Sequence, residues 1–257
     1  MIDVQNLVKF YDKKHALRNI SFSVEPGEIL GFLGPNGAGK STTIKILTGL
    51  IPPSSGTALI SGFSIIDQPV EVKKRFGYIP ESGALFESLT AWEYLEMVAD
   101  LHHLPAQIFN RRVQEFLEIF DLKEECHSRL SDFSKGMKQK VLIIAALLHN
   151  PEVLFFDEPL NGVDANTALV FKELLRQFRE KGKTIFFCSH ILEVVERLCT
   201  RIIIINEGEI ITEGTPESIA AKTGHSSLEL AFNALTNGAD AEQKAVDFLS
   251  ALRGENR

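Results

Sequence analysis

The chain has 257 residues, of which 44% are hydrophobic and 24% charged, and its formal net charge is -7. These proportions are typical of a folded globular protein and exclude a fibrous or largely disordered chain. The acidic balance also disfavours a nucleic-acid partner, because binding to phosphate backbones generally needs a basic face.

Membrane-spanning and secretory signals are missing from the sequence. The longest apolar candidates, Val141 to Leu148 and Ile202 to Ile205, fall well short of the roughly 18 residues that a spanning helix needs. The N-terminus lacks the charged-then-apolar pattern of a signal peptide, so we expect a cytoplasmic protein. Cys126, Cys188 and Cys199 form no CxxC pair, which is consistent with a reducing compartment.

Short apolar runs alternate with helical patterns along the chain, which indicates an α/β fold whose mostly parallel sheet has helices on its faces. The predicted core strands are Ile29 to Leu33, Val153 to Phe156, Thr184 to Cys188 and Arg201 to Asn206. Between about residues 85 and 150 the pattern is helical only, and its last helix is predicted to begin after Ser134, a residue type that caps helices.

The segment from Gly34 to Thr42, GPNGAGKST, follows the first core strand and matches the phosphate-binding loop GxxxxGK[ST]. Its glycines let backbone N–H groups and a helix N-terminus face the anion. Lys40 is expected on the β- and γ-phosphates, and the Ser41 hydroxyl on a magnesium ion. A glycine-rich turn without a ligand is the alternative. The predicted nucleotide-binding residues of the loop are Gly34, Pro35, Asn36, Gly37, Ala38, Gly39, Lys40, Ser41 and Thr42.

Two other core strands end in residues suited to phosphate chemistry. Asp157 is expected to bind the magnesium ion, directly or through water, and Glu158 to act as a general base on the attacking water. His190 follows the next strand at the same sheet edge, where it could hold the γ-phosphate and that water in line. A solvated acidic turn is the alternative for the carboxylates, and the remaining histidines are interpreted as structural.

The order of these motifs, together with Phe133-Ser-Lys-Gly-Met137 and Asn161-Gly-Val-Asp164, resembles the ATP-binding cassette (ABC) ATPases. The resemblance implies a P-loop NTPase core with a mostly parallel sheet, an N-terminal antiparallel β part and an inserted helical subdomain. Residues 1–215 would form the ABC domain, with residues 1–84 and 151–215 as the nucleotide-binding core and about 85–150 as the helical subdomain. Residues 216–257 would form a small C-terminal helical extension, which has an amphipathic run around Phe248, Leu249 and Leu252.

The resemblance also implies that two cassettes share each site. Ser134 and Gly136 belong to the signature motif, whose helix N-terminus reaches the γ-phosphate of ATP held by a second copy. Asp164 lies in the segment through which the two cassettes communicate. Tyr11 lies where an aromatic ring stacks on adenine, although a core aromatic is an alternative there. Glu81 replaces a glutamine that senses magnesium and the transport partner, and it still offers an oxygen ligand.

By the same resemblance, the chain is an ATPase subunit that uses ATP and Mg²⁺, forms a homodimer and powers transport through separate transmembrane permease subunits. It would then lie at the inner face of the cell membrane, and its signature resembles that of bacterial exporters. The alternative is a soluble ABC ATPase acting on DNA, on ribosomes or in cofactor assembly. Such proteins often carry coiled coils or two fused cassettes, whereas this sequence shows neither a heptad array nor a second P-loop.

Overall fold

The computed structural model describes residues 1–12, 14–81, 83, 85–236 and 248–252. In chain order the strands are β1 (Ile2–Tyr11), β2 (Lys14–Val24), β3 (Ile29–Leu33), β4 (Ser55–Ile60), β5 (Phe63–Ser64), β6 (Phe76–Ile79), β7 (Val153–Asp157), β8 (Thr184–Cys188), β9 (Arg201–Asn206) and β10 (Glu209–Gly214). The helices are α1 (Lys40–Leu47), α2 (Pro69–Lys73), α3 (Ala91–Leu101), α4 (Ala106–Ile119), α5 (Lys135–Leu147), α6 (Ala165–Glu180), α7 (Leu192–Leu198), α8 (Pro216–Lys222) and α9 (Leu228–Leu235), with a 3₁₀ turn at Leu130–Asp132.

The strands form two sheets. Four of them make an antiparallel sheet in the order β2-β1-β4-β5. The other six have the order β10-β9-β3-β8-β7-β6, and all neighbours are parallel except β9 and β10. The predicted α/β class with a mostly parallel sheet and an N-terminal antiparallel part is therefore confirmed.

The parallel strands are hydrophobic throughout because both of their faces are covered. Every residue of β3, β7 and β8 is buried. Successive side chains along these strands point to opposite faces of the sheet, so they belong to two different hydrophobic clusters. Phe155 and Phe186 pack with α1, α2 and the antiparallel sheet, whereas Phe156 and Phe187 pack with the helices that follow β6. The four predicted core strands are all present, and β7 extends one residue further to include Asp157.

Helices α3, α4 and α5 lie between β6 and β7, where the sequence predicts helices only. Ser134 caps α5 as expected, since its hydroxyl accepts a hydrogen bond from the N–H of Met137 at 3.2 Å. Val113 and Leu117 of α4 share one hydrophobic cluster with the parallel sheet. The boundaries of a separate helical subdomain therefore remain a prediction.

The described part of the C-terminal region is helical. It comprises α8, α9 and a helical stretch at residues 248–252. Ile219 of α8 and Leu228 of α9 are fully buried, so α8 and α9 pack on the main core, whereas Phe248, Leu249 and Leu252 are exposed. The predicted extension also includes residues 237–247 and 253–257, which lie outside the described residues. Within the described ranges, no helix combines the length and the apolar composition needed to cross a membrane.

Candidate nucleotide-binding site

Four neighbouring strands bring predicted site residues to one edge of the parallel sheet, because the carboxyl ends of parallel strands point the same way. The P-loop follows β3, His190 follows β8, Asp157 ends β7, and Glu81 follows β6. Together with the end of β1 and the start of β2, they enclose a cavity of about 720 Å³. The cavity is lined by Tyr11, Lys14, Ala16, Gly34, Asn36, Gly37, Gly39, Lys40, Ser41, Thr42, Glu81, Asp157, Glu158 and His190.

The P-loop depends on glycine at its end. Gly39 has a φ of +116°, and a Cβ there would lie 2.7 Å from Leu17 Cδ2 and 2.8 Å from the carbonyl oxygen of Ala16. Since Gly39 precedes α1 and has no side chain to cap it, the first N–H groups of this helix are left for an anion. The ammonium of Lys40 donates to the carbonyl oxygens of Gly34 at 2.5 Å and Pro35 at 3.1 Å.

Acidic side chains converge beside the P-loop. Asp157 and Glu158 are 4% and 8% exposed. Burial raises the pKa of Asp157 from 3.8 to about 6, and the negative charges of Glu81 and Glu158 add to this effect, while Ser41 and Lys40 oppose it. The cavity therefore presents buried negative charge that a cation would stabilise.

Glu158 and His190 form a pair within the cavity. His190 Nδ1 lies 2.9 Å from Glu158 Oε2, and the imidazole is 68% exposed while the carboxylate is 10% exposed. Glu158 also has a positive φ of +54°, and its N–H donates to the carbonyl of Cys188 at 3.0 Å. Strained backbone of this kind is common at functional sites, because the surrounding structure holds it in place. The carboxylate of Glu158 is therefore held by the hydrogen-bonded backbone of its own residue and by the exposed ring of His190.

The signature residues lie outside this cavity. Ser134 is exposed at the start of α5, and Gly136, in the same turn, faces the carbonyl of Gly162, to which a Cβ would approach within 2.7 Å. Pro35 and Ala38 belong to the P-loop but do not line the cavity. One chain thus brings most of the predicted residues together and leaves Ser134 and Gly136 elsewhere on its surface. Their contact with a second nucleotide stays a prediction.

Asp164 is also outside the cavity, and its carboxylate is occupied within its own chain. It caps α6 by accepting hydrogen bonds from the Thr167 N–H at 2.8 Å and hydroxyl at 2.7 Å. Lys140 Nζ of α5 lies 3.2 Å from Asp164 Oδ2, the same oxygen that accepts from the Thr167 hydroxyl. These hydrogen bonds, those from Thr167 foremost, hold the pKa of Asp164 well below its usual range.

Tyr11 lines the cavity and is 46% exposed, so it is not a core aromatic. Sequence reasoning missed two other lining residues, Lys14 and Ala16. Both belong to β2, whose first residue pairs with Tyr11 across the β1–β2 hairpin. Their nearness to Tyr11 in the sequence was the available signal, because strands joined by a short turn are usually neighbours.

Comparisons with known proteins agree with this geometry. The sequence profile of the family described as ABC transporter matches residues 17–161. The chain is 39% identical to the ABC transporter ATP-binding protein NatA of Bacillus subtilis, over 82% of this chain and 87% of that protein. It is 36% identical to a Nod factor export ATP-binding protein of Burkholderia pseudomallei, over 89% of this chain and 76% of that protein.

Solved structures show the same relationship. The structure of an ATP-binding subunit of an ABC transporter matches with a TM-score of 0.87 and 35% identity, over 92% of this chain and 99% of that one. A dimeric ATP-binding cassette in a post-hydrolysis state, bound to ADP and Pi, matches with a TM-score of 0.76 and 25% identity, over 84% of this chain and 98% of that one. The chain therefore belongs to the ABC transporter family and is one of its ATP-binding, ATP-hydrolysing subunits.

Proposed function

We propose that two copies of this chain bind MgATP head to tail, and that hydrolysis drives export through separate permease subunits. The observation that carries the catalytic part is the position of Glu158. Its buried carboxylate is held 2.9 Å from His190 in a cavity that the P-loop also lines. A base is needed near the γ-phosphate but away from the metal, and this carboxylate meets that need.

Magnesium fits the donors of the cavity. Ser41, Asp157 and Glu81 offer oxygen atoms, and burial together with the nearby carboxylates raises the pKa of Asp157, so a divalent cation would stabilise its charged form. Mg²⁺ usually takes one or two carboxylates together with phosphate oxygens and water, and Asp157 and Glu81 would supply the carboxylates. When bound, the ion would neutralise charge on the β- and γ-phosphates.

The remaining chemistry falls to side chains of the chain itself. Lys40 would exchange its two loop carbonyls for phosphate oxygens, while the N–H groups at the start of α1 hold the same anion. Glu158 would accept the proton of the attacking water. His190 would hold that carboxylate in place. In its present orientation the ring places Nδ1 2.9 Å from Glu158 Oε2, and a protonated Nδ1 can donate a hydrogen bond to that oxygen.

A second copy would complete the site. The N-terminus of α5, with the exposed Ser134, lies outside the cavity of its own chain and would bind the phosphate of the other nucleotide. The related cassette bound to ADP and Pi is a dimer, which supports the same assembly here. A homodimer is the simplest form, because each copy carries both halves of the site.

The permease is expected to bind near Glu81 and the apolar segment that follows it. Phe86, in this segment, is 60% exposed, whereas Ala84 lies outside the described residues. Such a complex would hold the chain at the inner face of the cell membrane. Export is favoured over import because the signature resembles that of exporters and one relative is named for Nod factor export.

The catalytic proposal is tested by Glu158→Gln, which keeps the shape of the side chain but removes the base. We expect ATP binding to persist, turnover to fall by about a hundredfold or more, and a stable ATP-bound dimer to accumulate. Glu152→Gln is the matched control, because Glu152 is exposed just before β7, at the far end of the same strand. Turnover near the wild-type rate in Glu158→Gln would rule out the general-base role.

The transport proposal is tested by purifying the native complex in detergent and identifying the proteins that accompany the chain. We expect a polytopic membrane protein in stoichiometric amount. Recovery of ribosomal or DNA-bound partners, with no membrane protein, would favour the soluble ABC ATPase instead.

A further inference from the structure

The end of β1, which carries Tyr11 to the wall of the nucleotide cavity, is irregular. Its pairing with β2 shifts register on both sides of Lys9. Its pairing with β4 ends at Val8, which lies opposite Ser55. Residues 9–11 therefore extend beyond the strand pairing on the β4 side. Because Tyr11 is 46% exposed, packing alone leaves its ring free to change orientation.

The segment 52–54, just before β4, supplies the contacts that the strand pairing no longer makes. The Ser54 hydroxyl accepts a hydrogen bond from the N–H of Phe10 at 3.0 Å, and the ammonium of Lys9 donates to the carbonyl oxygen of Pro52 at 2.8 Å. The acceptor belongs to a proline that a second proline follows, and the two rings restrict the backbone there. The ammonium is therefore held by a stiff piece of main chain rather than by another side chain.

The same ammonium contacts the ring of Tyr11. Lys9 Nζ lies over this ring, 5.3 Å from its centroid. That is within the distance of about 6 Å at which the face of an aromatic ring attracts a cation. Tyr11 lines the nucleotide cavity and Lys9 does not. The lysine thus contacts the ring from outside the cavity and leaves the cavity side to a ligand.

The chain that leads to the segment 52–54 is attached to the P-loop helix. The N–H groups of Leu50 and Ile51 donate to the carbonyl oxygen of Lys45 at 2.8 and 3.2 Å. Lys45 lies in α1, and α1 begins with Lys40, the residue expected on the phosphates. The contacts of the segment 52–54 therefore help to set where the aromatic ring stands relative to the phosphate site.

We propose that Lys9 is a positioning residue for the nucleotide, because it holds the ring of Tyr11 in the orientation on which the base stacks. The inference rests on the proposed ATP site, with the base on Tyr11. It adds a residue that touches neither the base nor the phosphates. A ring that is already oriented loses less conformational freedom when the base binds, so the affinity rises without a further contact to the ligand.

The experiment measures the dissociation constant of ADP by calorimetric titration of the full-length protein, since ADP is not hydrolysed during the titration. The variants are Lys9→Met, Lys9→Arg, Tyr11→Ala and the double variant of Lys9→Met with Tyr11→Ala. We expect Lys9→Met to raise the dissociation constant about threefold. Tyr11→Ala should raise it about fivefold or more. The double variant should match Tyr11→Ala, because the ring that the lysine positions is gone. Lys9→Arg keeps a cation over the ring and should bind ADP nearly as the wild type does.

Lys45 provides a matched control for the loss of a positive charge. Its side chain is exposed on α1 and does not line the nucleotide cavity, so Lys45→Met should bind ADP as the wild type does. In steady-state hydrolysis, Lys9→Met should raise the KM for ATP more than it lowers kcat, because the base is remote from the reacting phosphate. The melting temperature of each variant reports its folding, and Lys9→Gln replaces Lys9→Met if the latter does not fold.

The binding data separate the inference from the proposed function. A wild-type chain that binds neither ADP nor ATP would contradict the proposed function itself. If the chain binds ADP but Tyr11→Ala binds it equally well, the base does not stack on this ring, and the inference fails while the ATPase function stands. If Tyr11→Ala weakens binding but Lys9→Met does not, or if the two effects add in the double variant, Lys9 does not act through the ring. An equal effect of Lys45→Met would also refute the inference, because it would show a general effect of charge.

Discussion

His149, just beyond α5, should make the stability of the chain sensitive to mildly acidic pH. Its Nε2 lies 3.0 Å from the carbonyl oxygen of Phe76, which can only accept, so Nε2 carries the proton. The Nδ1 atom is buried without a partner among the described residues. The ring stacks on His102 with centroids 3.6 Å apart. Burial first, then His102, and also Lys183 and Arg112, lower the pKa of His149 from 6.5 to about 4.

The sign and size of the effect follow from these two pKa values. Since the folded state has the lower pKa, the unfolded chain takes up the proton first as the pH falls. Stability is complete above pH 6.5 and is lost progressively down to about pH 4. With these values, the free energy of unfolding falls by about 2 kcal/mol between about pH 7.5 and pH 5.

The matched variant is His149→Gln, because glutamine can still donate to Phe76 and does not titrate. Urea unfolding of both proteins at the two pH values isolates the effect of the stacked pair of His149 and His102, since groups outside this pair titrate alike. With a slope of about 3 kcal/mol/M, the wild-type midpoint should fall by about 0.7 M more than that of the variant. His127→Gln, at an exposed position, should behave like the wild type. Parallel pH profiles for wild type and His149→Gln would refute the reasoning.

Three further substitutions test the site and the fold. Gly39→Ala should abolish ATP binding in a nucleotide titration, because its φ of +116° and a Cβ 2.7 Å from Leu17 exclude a side chain; retained binding would contradict this. Lys14→Met removes a charge from the cavity wall and should raise the ATP dissociation constant by about threefold to tenfold with kcat unchanged; a fall in kcat alone would point to a different role. Arg201→Met breaks contacts with Glu28 at 2.6 Å and Glu213 at 3.0 Å and should lower the free energy of unfolding by about 2 kcal/mol in urea. Arg176→Met, whose ion pairs are exposed, should cause no measurable change, and equal effects would contradict the argument from burial.

The core strands could be predicted because strands covered on both faces are continuously hydrophobic. β6 was not identified, and Gly77 explains why. A glycine within a four-residue strand normally indicates a turn, yet here a Cβ would lie 2.0 Å from the carbonyl oxygen of Ala146 on α5. The requirement comes from a helix about 70 residues later in the chain, which a local pattern does not contain.

The candidate site likewise has some features that a local sequence pattern predicts and others that depend on residues far apart in the chain. The P-loop and the Asp157-Glu158 pair were predicted because their chemistry depends on adjacent residues. The contacts of Gln139 with Pro159 and of Lys140 with Asp164 were not, since they join positions 20 and more residues apart. Lysine on a helix is usually solvated, and only the packing of α5 against the segment 159–164 shows that Lys140 is nearly buried.

The left-handed backbone of Glu158 has a consequence for inherited variation. A side chain at this φ costs roughly 1 kcal/mol, a cost that glycine would not carry. Replacing Glu158 by glycine should thus remove this cost and leave the chain about as stable as before, so quality control that recognises unfolded protein would not remove it. Under the proposed function, altered copies made together with normal ones would still enter mixed dimers and occupy permeases. Loss of this carboxylate should therefore behave as a dominant rather than a recessive defect.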